Sequence, residues 1–294
     1  MNKNKFLTSR TVLHIVMIII SCFCVIPILY TLSISITDEI SLVENGYSLF
    51  PKKTSLAAYE FLLQNPHQIL QGYGISITVT IVGTLISILF TSTISYVIAR
   101  KDFKFGKIIS IMITFALLFN AGLVANYITV SKIYHLSNTI WALILPYLIT
   151  PWNVMLMKSY FADMQVTLIE AAKIDGCSEF TIFFRIILPI VKPALATVGL
   201  LIAFNYWNDW WLAMLYIESP ELTPLQYLLY RIQNSIQFLM SGAKSAAVSM
   251  DVSNIPSETT RMAMCVLASW PMLFVFPFFQ KYFVKGLTVG AVKG

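Results

Sequence analysis

Between Val12 and Ile36 the chain runs for 25 residues without an aspartate, glutamate, lysine or arginine. A helix of about 20 mostly apolar residues crosses the roughly 30 Å hydrocarbon core of a bilayer. The buried helix of a soluble domain rarely reaches that length, so the run predicts an integral membrane protein. Composition agrees: the chain is 57% hydrophobic and 12% charged, whereas soluble domains carry about a quarter charged residues. Lys3, Lys5 and Arg10 ahead of the run would also suit a secretory signal. A signal's apolar region, however, is about 7–15 residues long and closes on a small-residue cleavage site. This run is longer, and no A-x-A-like site follows Pro27 and Tyr30, so it is read as a retained first span.

Apolar runs predict an all-α, polytopic membrane protein with six transmembrane helices in a single domain, residues 1–294. The spans are expected at about 12–34, 75–99, 108–130, 138–158, 194–217 and 262–284. If both termini are cytoplasmic, 14 of the 20 lysines and arginines fall on the cytoplasmic side, as the positive-inside rule requires. The same asymmetry accounts for the net charge of +6. Because the basic residues flank spans rather than line one surface, nucleic acid is not an expected partner. The arrangement puts a loop at 159–193 in the cytoplasm and two long loops, 35–74 and 218–261, outside.

The chemistry of sites is thinly represented. Cys22 and Cys24 sit on different faces of one span, Cys177 and Cys265 lie far apart, and His14, His67 and His135 are scattered. No metal-ligand cluster follows from that spacing, so no metal is expected. No G-x-x-x-x-G-K-[ST] stretch is present: Gly106-Lys107 leads into Ile108, and Gly242-Ala243-Lys244-Ser245 lacks the Gly-Lys pair. Without such a phosphate cradle the chain is expected to bind no ATP of its own. Neither H-E-x-x-H nor G-x-S-x-G occurs, and no catalytic residue is assigned.

One polar stretch interrupts the apolar sequence, "EAAKIDGCSEFTIFFRIILP" at 170–189. Thr167 and Glu170 have the spacing of a capping box, and Glu170 also stands where a helix dipole favours an anion. Gly176 predicts a left-handed stop. A second short helix is expected from Ser178 to about Leu188, ending before Pro189, with Pro193 in the first turn of span five. Helices this short are marginal alone in water. Ala171 and Ala172 leave one side of the first helix bare, ringed by Glu170, Lys173 and Asp175. That pattern predicts a handle for a partner, against the plainer alternative of a solvated loop helix.

Glu170-Ala171-Ala172, Asp175-Gly176 and Ile187-Leu188-Pro189 resemble the EAA loop of ABC importer permeases, the membrane subunits of ATP-driven uptake systems. "NTIWALILP" (138–146), "KPALATVGLL" (192–201), "WNDWWLAMLYI" (207–217), "LTPLQYLL" (222–229), "PSETTRMA" (256–263) and "FPFFQKYFVKGLTVGAVKG" (276–294) resemble its carbohydrate-uptake branch, MalG-like and LplC-like permeases. The resemblance covers most of the chain after residue 75. Departures from the pattern are Cys177 for alanine, Met164-Gln165 for an Ile-Pro, and Ala125 for a frequent proline in span three.

The resemblance implies a type I ABC importer permease fold in the plasma or inner membrane of a prokaryote. Glu170, Ala171, Ala172, Asp175, Gly176, Leu188 and Pro189 would form the ATPase-coupling loop. Implied partners are a second homologous permease in a heterodimer, two ATP-binding subunits that hold ATP and magnesium, and an extracytoplasmic solute-binding protein. The tail from Lys285 to Gly294 would reach between the ATPases. The implied cargo is a sugar or oligosaccharide.

Within span five, Asn205, Asn208 and Asp209 share one face of a continuous helix, and Trp207, Trp210 and Trp211 the opposite one. An intramembrane acid is a functional candidate by default. The polar face is expected to line the translocation path, the alternative for Asp209 being a structural hydrogen bond to a neighbouring span. The tryptophans allow sugar stacking or an interfacial and packing role. Asn120, Tyr127 and Ser131 form a second polar stripe on span three. A competing function is an ion-coupled secondary transporter or channel that uses Asp209 as its ion site.

Overall fold

The computed structural model describes residues 3–162, 166–245 and 257–291. Their regular structure is helical, with a single isolated antiparallel bridge between Thr37 and Thr54. The chain divides into two compact units, Met1–His67 with Arg231–Pro271, and Gln68–Tyr230 with Met272–Gly294.

The first unit opens with α1, Lys3–Ser35. Residues 11–29 of this helix are exposed on all sides, and a helix apolar all round needs an apolar medium. Asp38 then caps α2 (Glu39–Asn45), its Oδ1 accepting the Ser41 N–H at 3.0 Å. Gly46 closes that helix with φ +74°, and α3 (Ala57–Leu62) follows. The carboxylate of Glu39 caps the start of another helix, α15 (Glu258–Ala291). It accepts from Glu258 N and Thr259 N, each at 3.0 Å, from Thr259 Oγ1 at 2.6 Å and from Ser257 Oγ at 3.3 Å. Backbone donors at a helix start have no intrahelical acceptor, and a carboxylate suits that end of the dipole.

In the second unit the long helix α4 (Pro66–Ala99) presents small and polar residues inward at helical spacing: Ser76, Gly83, Ser87, Thr91 and Ser95 are buried. Ser76 Oγ accepts Leu225 N at 2.9 Å, and Ser95 Oγ donates to Val154 O at 2.9 Å. Between apolar helices in lipid, such small residues permit close approach and their hydroxyls bind across the interface.

Three helices are long and apolar enough to cross a membrane singly: Thr11–Ser35, Pro66–Ala99 and Glu258–Gln280. Two bent pairs bring the number to five among the described residues. The expected third span is one bent pair. α5 (Gly106–Leu118) and the helical run Gly122–Ile133 meet at 114°. Asn120 Oδ1 accepts Gly122 N at 2.9 Å, and Gly122 takes φ +84°. That run is α6 (Gly122–Ile128) followed by a π-turn, Thr129–Ile133.

The expected fourth span is interrupted where Pro146 and Pro151 remove backbone donors. It comprises α7 (Trp141–Ile144), a 3-10 turn Leu145–Tyr147, and α8 (Pro151–Ala162). Ahead of α7, Asn138 clasps the chain beyond span five. Its Oδ1 accepts Ser219 N at 2.9 Å and Glu218 N at 3.2 Å, while its Nδ2 donates to Ser219 Oγ at 2.8 Å.

The continuous helix expected over 194–217 is also a correction. α12 spans Lys192–Trp207, with Pro193 in its first turn, and a new helix, α13, starts at Trp211 and ends at Tyr216. Asn208 adopts φ −89°, ψ 0°, outside the helical basin. A 3-10 turn at Pro220–Leu222 leads to α14 (Leu225–Ser245).

Candidate functional site

α9 (Val166–Ile174) turns sharply at Gly176, whose φ is +75°. A Cβ there would meet no atom within 4 Å, so glycine is required by the backbone angle alone. Ser178 Oγ then caps α10 (Glu179–Thr181), accepting Thr181 N at 3.3 Å. The helix does not stop before Pro189 as expected. It widens into a π-turn, Ile182–Ile187, and continues through α11 (Leu188–Ile190) before bending by 83° into α12. A proline ring clashes with the carbonyl four residues back in an α-helix, and a π-turn just ahead of Pro189 relieves that crowding.

Ala171 and Ala172 do not form a shared bare side. Ala172 is 6% exposed within the main apolar core, together with Ile182, Phe183, Ile187 and Val191, whereas Ala171 is exposed. Adjacent helical residues point about 100° apart, so only one of them can face outward. The outward surface is more apolar than the sequence implied: Ile174 is 86% exposed and Phe180 78%. Glu170 and Asp175 are exposed beside it. Leu188 packs against the core and Pro189 lies at the elbow before α12. Thr167's side chain, residues 163–165 and the side chains of 285–294 lie outside the described residues, and with them the capping box and the tail.

A charge cluster that sequence reading missed ties this loop to the end of α4. The Arg100 guanidinium donates to both Asp102 and Glu179. Lys173 Nζ lies 3.0 Å from Asp102 Oδ2 and 3.4 Å from Glu179 Oε1. Hydrogen bonding to Arg100 holds the Asp102 carboxyl well below the usual carboxylate range, and hydrogen bonding to Asp102 raises both Arg100 and Lys173. Arg100 also donates to Tyr96 Oη at 3.3 Å. Beside the cluster lies a 370 Å³ cavity lined by Tyr96, Arg100, Phe161, Ile169, Glu170 and Lys173, among others. Arg100 and Asp102 stand about 70 residues ahead of their partners, and no periodic pattern links them.

A larger cavity of 740 Å³ is lined by Asn120, Asn126, Tyr134, Tyr147, Trp211 and Tyr216 among others. Of the expected path residues only Asn120 lines it. Tyr127 instead stacks on Tyr216, with ring centroids 5.8 Å apart and planes 10° apart. Ser131 is buried and donates to Tyr127 O. The stripe of Asn120, Tyr127 and Ser131 is therefore dissolved by the bend at Gly122.

On span five, Asn205 and Asn208 are exposed, and Asn208 Nδ2 donates to Phe204 O at 2.9 Å. Asp209 is engaged by protein groups. It accepts Tyr147 Oη at 3.0 Å through Oδ1 and Leu212 N at 3.2 Å through Oδ2, capping α13. The tryptophans separate too. Trp207 is buried beside Tyr73, Trp210 stacks on Tyr230 at 4.4 Å, and Trp211 lines the cavity. Trp211 lines the cavity with Asn120, while Asn205, Asn208 and Asp209 do not.

The family model for the binding-protein-dependent transport system inner membrane component matches residues 91–289. The chain belongs to that family. These are ABC importer permeases, non-enzymatic membrane subunits of transport systems, and the bent helices above are this permease's version of the type I fold. This permease is 36% identical to the protein LplC of Bacillus subtilis (strain 168) over 94% of its own length and 91% of that chain. It is 33% identical to the polygalacturonan/rhamnogalacturonan transport system permease YtcP of the same organism, covering 95% and 96%. A crystal structure of a bacterial ABC transporter that imports the acidic polysaccharide alginate contains a chain with a TM-score of 0.77 and 25% identity. The alignment covers 96% of this permease and 99% of that chain.

Proposed function

We propose that this permease forms half of the translocation pore for a sugar or oligosaccharide, driven by ATPase subunits that dock on the 166–190 loop. One observation carries the reading. Ile174 and Phe180 stand exposed on a two-helix loop whose Ala172, Ile182, Phe183 and Ile187 belong to the same apolar core as α4, α8 and α12. Apolar side chains on a firmly seated knob suit a partner's groove, and aromatic anchors of this kind dominate interface energetics. In this reading the loop is cytoplasmic, Glu170 and Asp175 fringe the docking surface, and Gly176 sets the angle between its helices. ATP and magnesium belong to the partner ATPases. A second permease completes the pore, and a solute-binding protein delivers cargo from outside.

Support for a sugar comes from the relatives' names and from the 740 Å³ cavity. Asn120 and Asn126 offer carboxamides, and Tyr134, Tyr147 and Trp211 offer aromatic faces, the mixture that hydroxyl-rich rings with apolar faces require. Family membership does not favour an ion-coupled carrier, and both Asp209 oxygens already accept hydrogen bonds from the protein.

The experiment is co-purification. Ile174→Asp and Glu170→Lys should leave the permease in the membrane but remove the ATPase subunits from affinity-purified complexes. Normal retention by both variants would overturn the assignment of the docking surface.

A further inference from the structure

Arg100 is the sheltered centre of the charge cluster: its side chain is 13% exposed, against 55% for Asp102 and 54% for Glu179. Beneath it, Tyr96 packs on Phe183 and Phe161 with ring centroids 5.1 and 5.8 Å away. The guanidinium lies 5.6 Å from the Tyr96 ring centroid and also bonds its hydroxyl. Four stretches of chain converge there: the end of α4, the turn after it, α9 through Lys173, and α10 through Glu179. We propose that Arg100 is a positioning residue for energy coupling, gripping Asp102 and Glu179 so that α9 and α10 move as one piece with the end of α4.

The proposal rests on the reading of 166–190 as the ATPase docking loop. A lone exposed ion pair contributes little, but here one sheltered cation bridges two carboxylates, and a second cation, Lys173, bridges the same two. Removing Arg100 leaves Asp102 and Glu179 near each other with only Lys173 between them. Lysine is a poor substitute at position 100, because a compact ammonium lacks the planar fork that reaches Asp102, Glu179 and the Tyr96 hydroxyl at once. The apolar contacts would still seat the loop on the core, so docking survives while stiffness is lost.

The test uses the complete importer in proteoliposomes, with Leu215→Cys as a reporter in the larger cavity and the four native cysteines removed. Maleimide labelling is compared with and without magnesium-ATP and vanadate. In the parent protein, ATP should change the labelling rate. Arg100→Glu should retain its ATPase subunits yet lose that change at least fivefold, and adding Glu179→Arg should recover at least half of it. An unaltered response in Arg100→Glu, or no recovery in the double variant, overturns the proposal. So does loss of the ATPases from Arg100→Glu, which would make Arg100 part of the docking surface itself. If Arg100→Glu does not insert, Asp102→Asn with Glu179→Gln is expected to give the same uncoupling, and a normal response there counts against the proposal. Normal ATPase retention by Ile174→Asp and Glu170→Lys would instead sink the docking reading.

Discussion

The phenol end of Tyr206 covers Gly83. A Cβ on that glycine would stand 2.7 Å from the ring's Cζ, and both Cε atoms would be within 2.9 Å. The ring cannot slide aside cheaply, because its hydroxyl is 2.9 Å from Ser87 Oγ and donates to Ile144 O at 2.9 Å. Three helical segments meet at this one side chain. Gly83→Ala should therefore cost about 1–3 kcal/mol through overpacking, read as a lower thermal midpoint of the detergent-purified permease. Tyr206→Phe relieves no crowding but strands its partners, at about 1 kcal/mol. An unshifted midpoint for Gly83→Ala would mean that the ring has room to retreat.

Asp209 is predicted to act through Tyr147 and α13 rather than by touching cargo. Asparagine keeps an acceptor for Leu212 N and a group that can bond the Tyr147 hydroxyl, whereas alanine removes both. Asp209→Asn should retain most uptake, and Asp209→Ala should lose it about tenfold, with the half-buried Tyr147 hydroxyl losing its partner at about 1 kcal/mol. Equal, severe loss in both would show that the negative charge itself is needed.

Glu39 closes the start of α15 with four hydrogen bonds. Capping residues contribute about 0.5–2 kcal/mol, and a charged acceptor belongs at the upper end. Glu39→Ala should lower the thermal midpoint by a few degrees and raise hydrogen exchange at residues 257–261. Glu39→Gln, which retains acceptors, should fall between alanine and the parent. Exchange unaltered by alanine would argue against the cap.

The Arg100 cluster sets a pH window. Asp102 has a folded-state pKa depressed below its ordinary 3.8, so its contribution is present above that value and is lost as pH falls further. Lys173 is raised above its ordinary 10.5 and Arg100 above the already high guanidinium range, so their contributions hold through neutral pH and fade only in strong base. The thermal midpoint should therefore lose nothing to this cluster between roughly pH 5 and 9. Below about pH 4 the difference between the parent and Asp102→Asn should shrink. A parent-minus-variant difference that varies across neutral pH would contradict the arrangement.

Composition and run length made the membrane character legible, because an uncharged run of 25 residues has few other uses. The turn at Gly176 and the helix start at Ser178 were legible for a local reason: each depends on the preference of one residue. The breaks at 119–121 and 208–210 were not, since Asn120-Ala121-Gly122 and Asn208-Asp209 look like polar residues on a continuous apolar helix. Periodicity assumes an unbroken axis, and once the axis turns by 114° the stripe containing Asn120 and Tyr127 ceases to exist. The pairing of Ala172 with the core was hidden because alanine suits either a docking face or a packed one. Arg100 and Glu179 were beyond reach for another reason: 79 residues separate them, and only the folded chain makes them neighbours.

A side chain at Gly176 would touch nothing, yet the corner there decides where Ile174 and Phe180 point. A joint fixed by packing would loosen whenever detergent, salt or a different lipid rearranged its neighbours. This one rests on short-range backbone hydrogen bonds, Gly176 N to Lys173 O and Cys177 N to Ala172 O, each at 3.0 Å, around a residue whose missing Cβ leaves the left-handed φ free of strain. The angle between the two short helices is thus among the few features of the molecule that should come through extraction from the membrane unchanged.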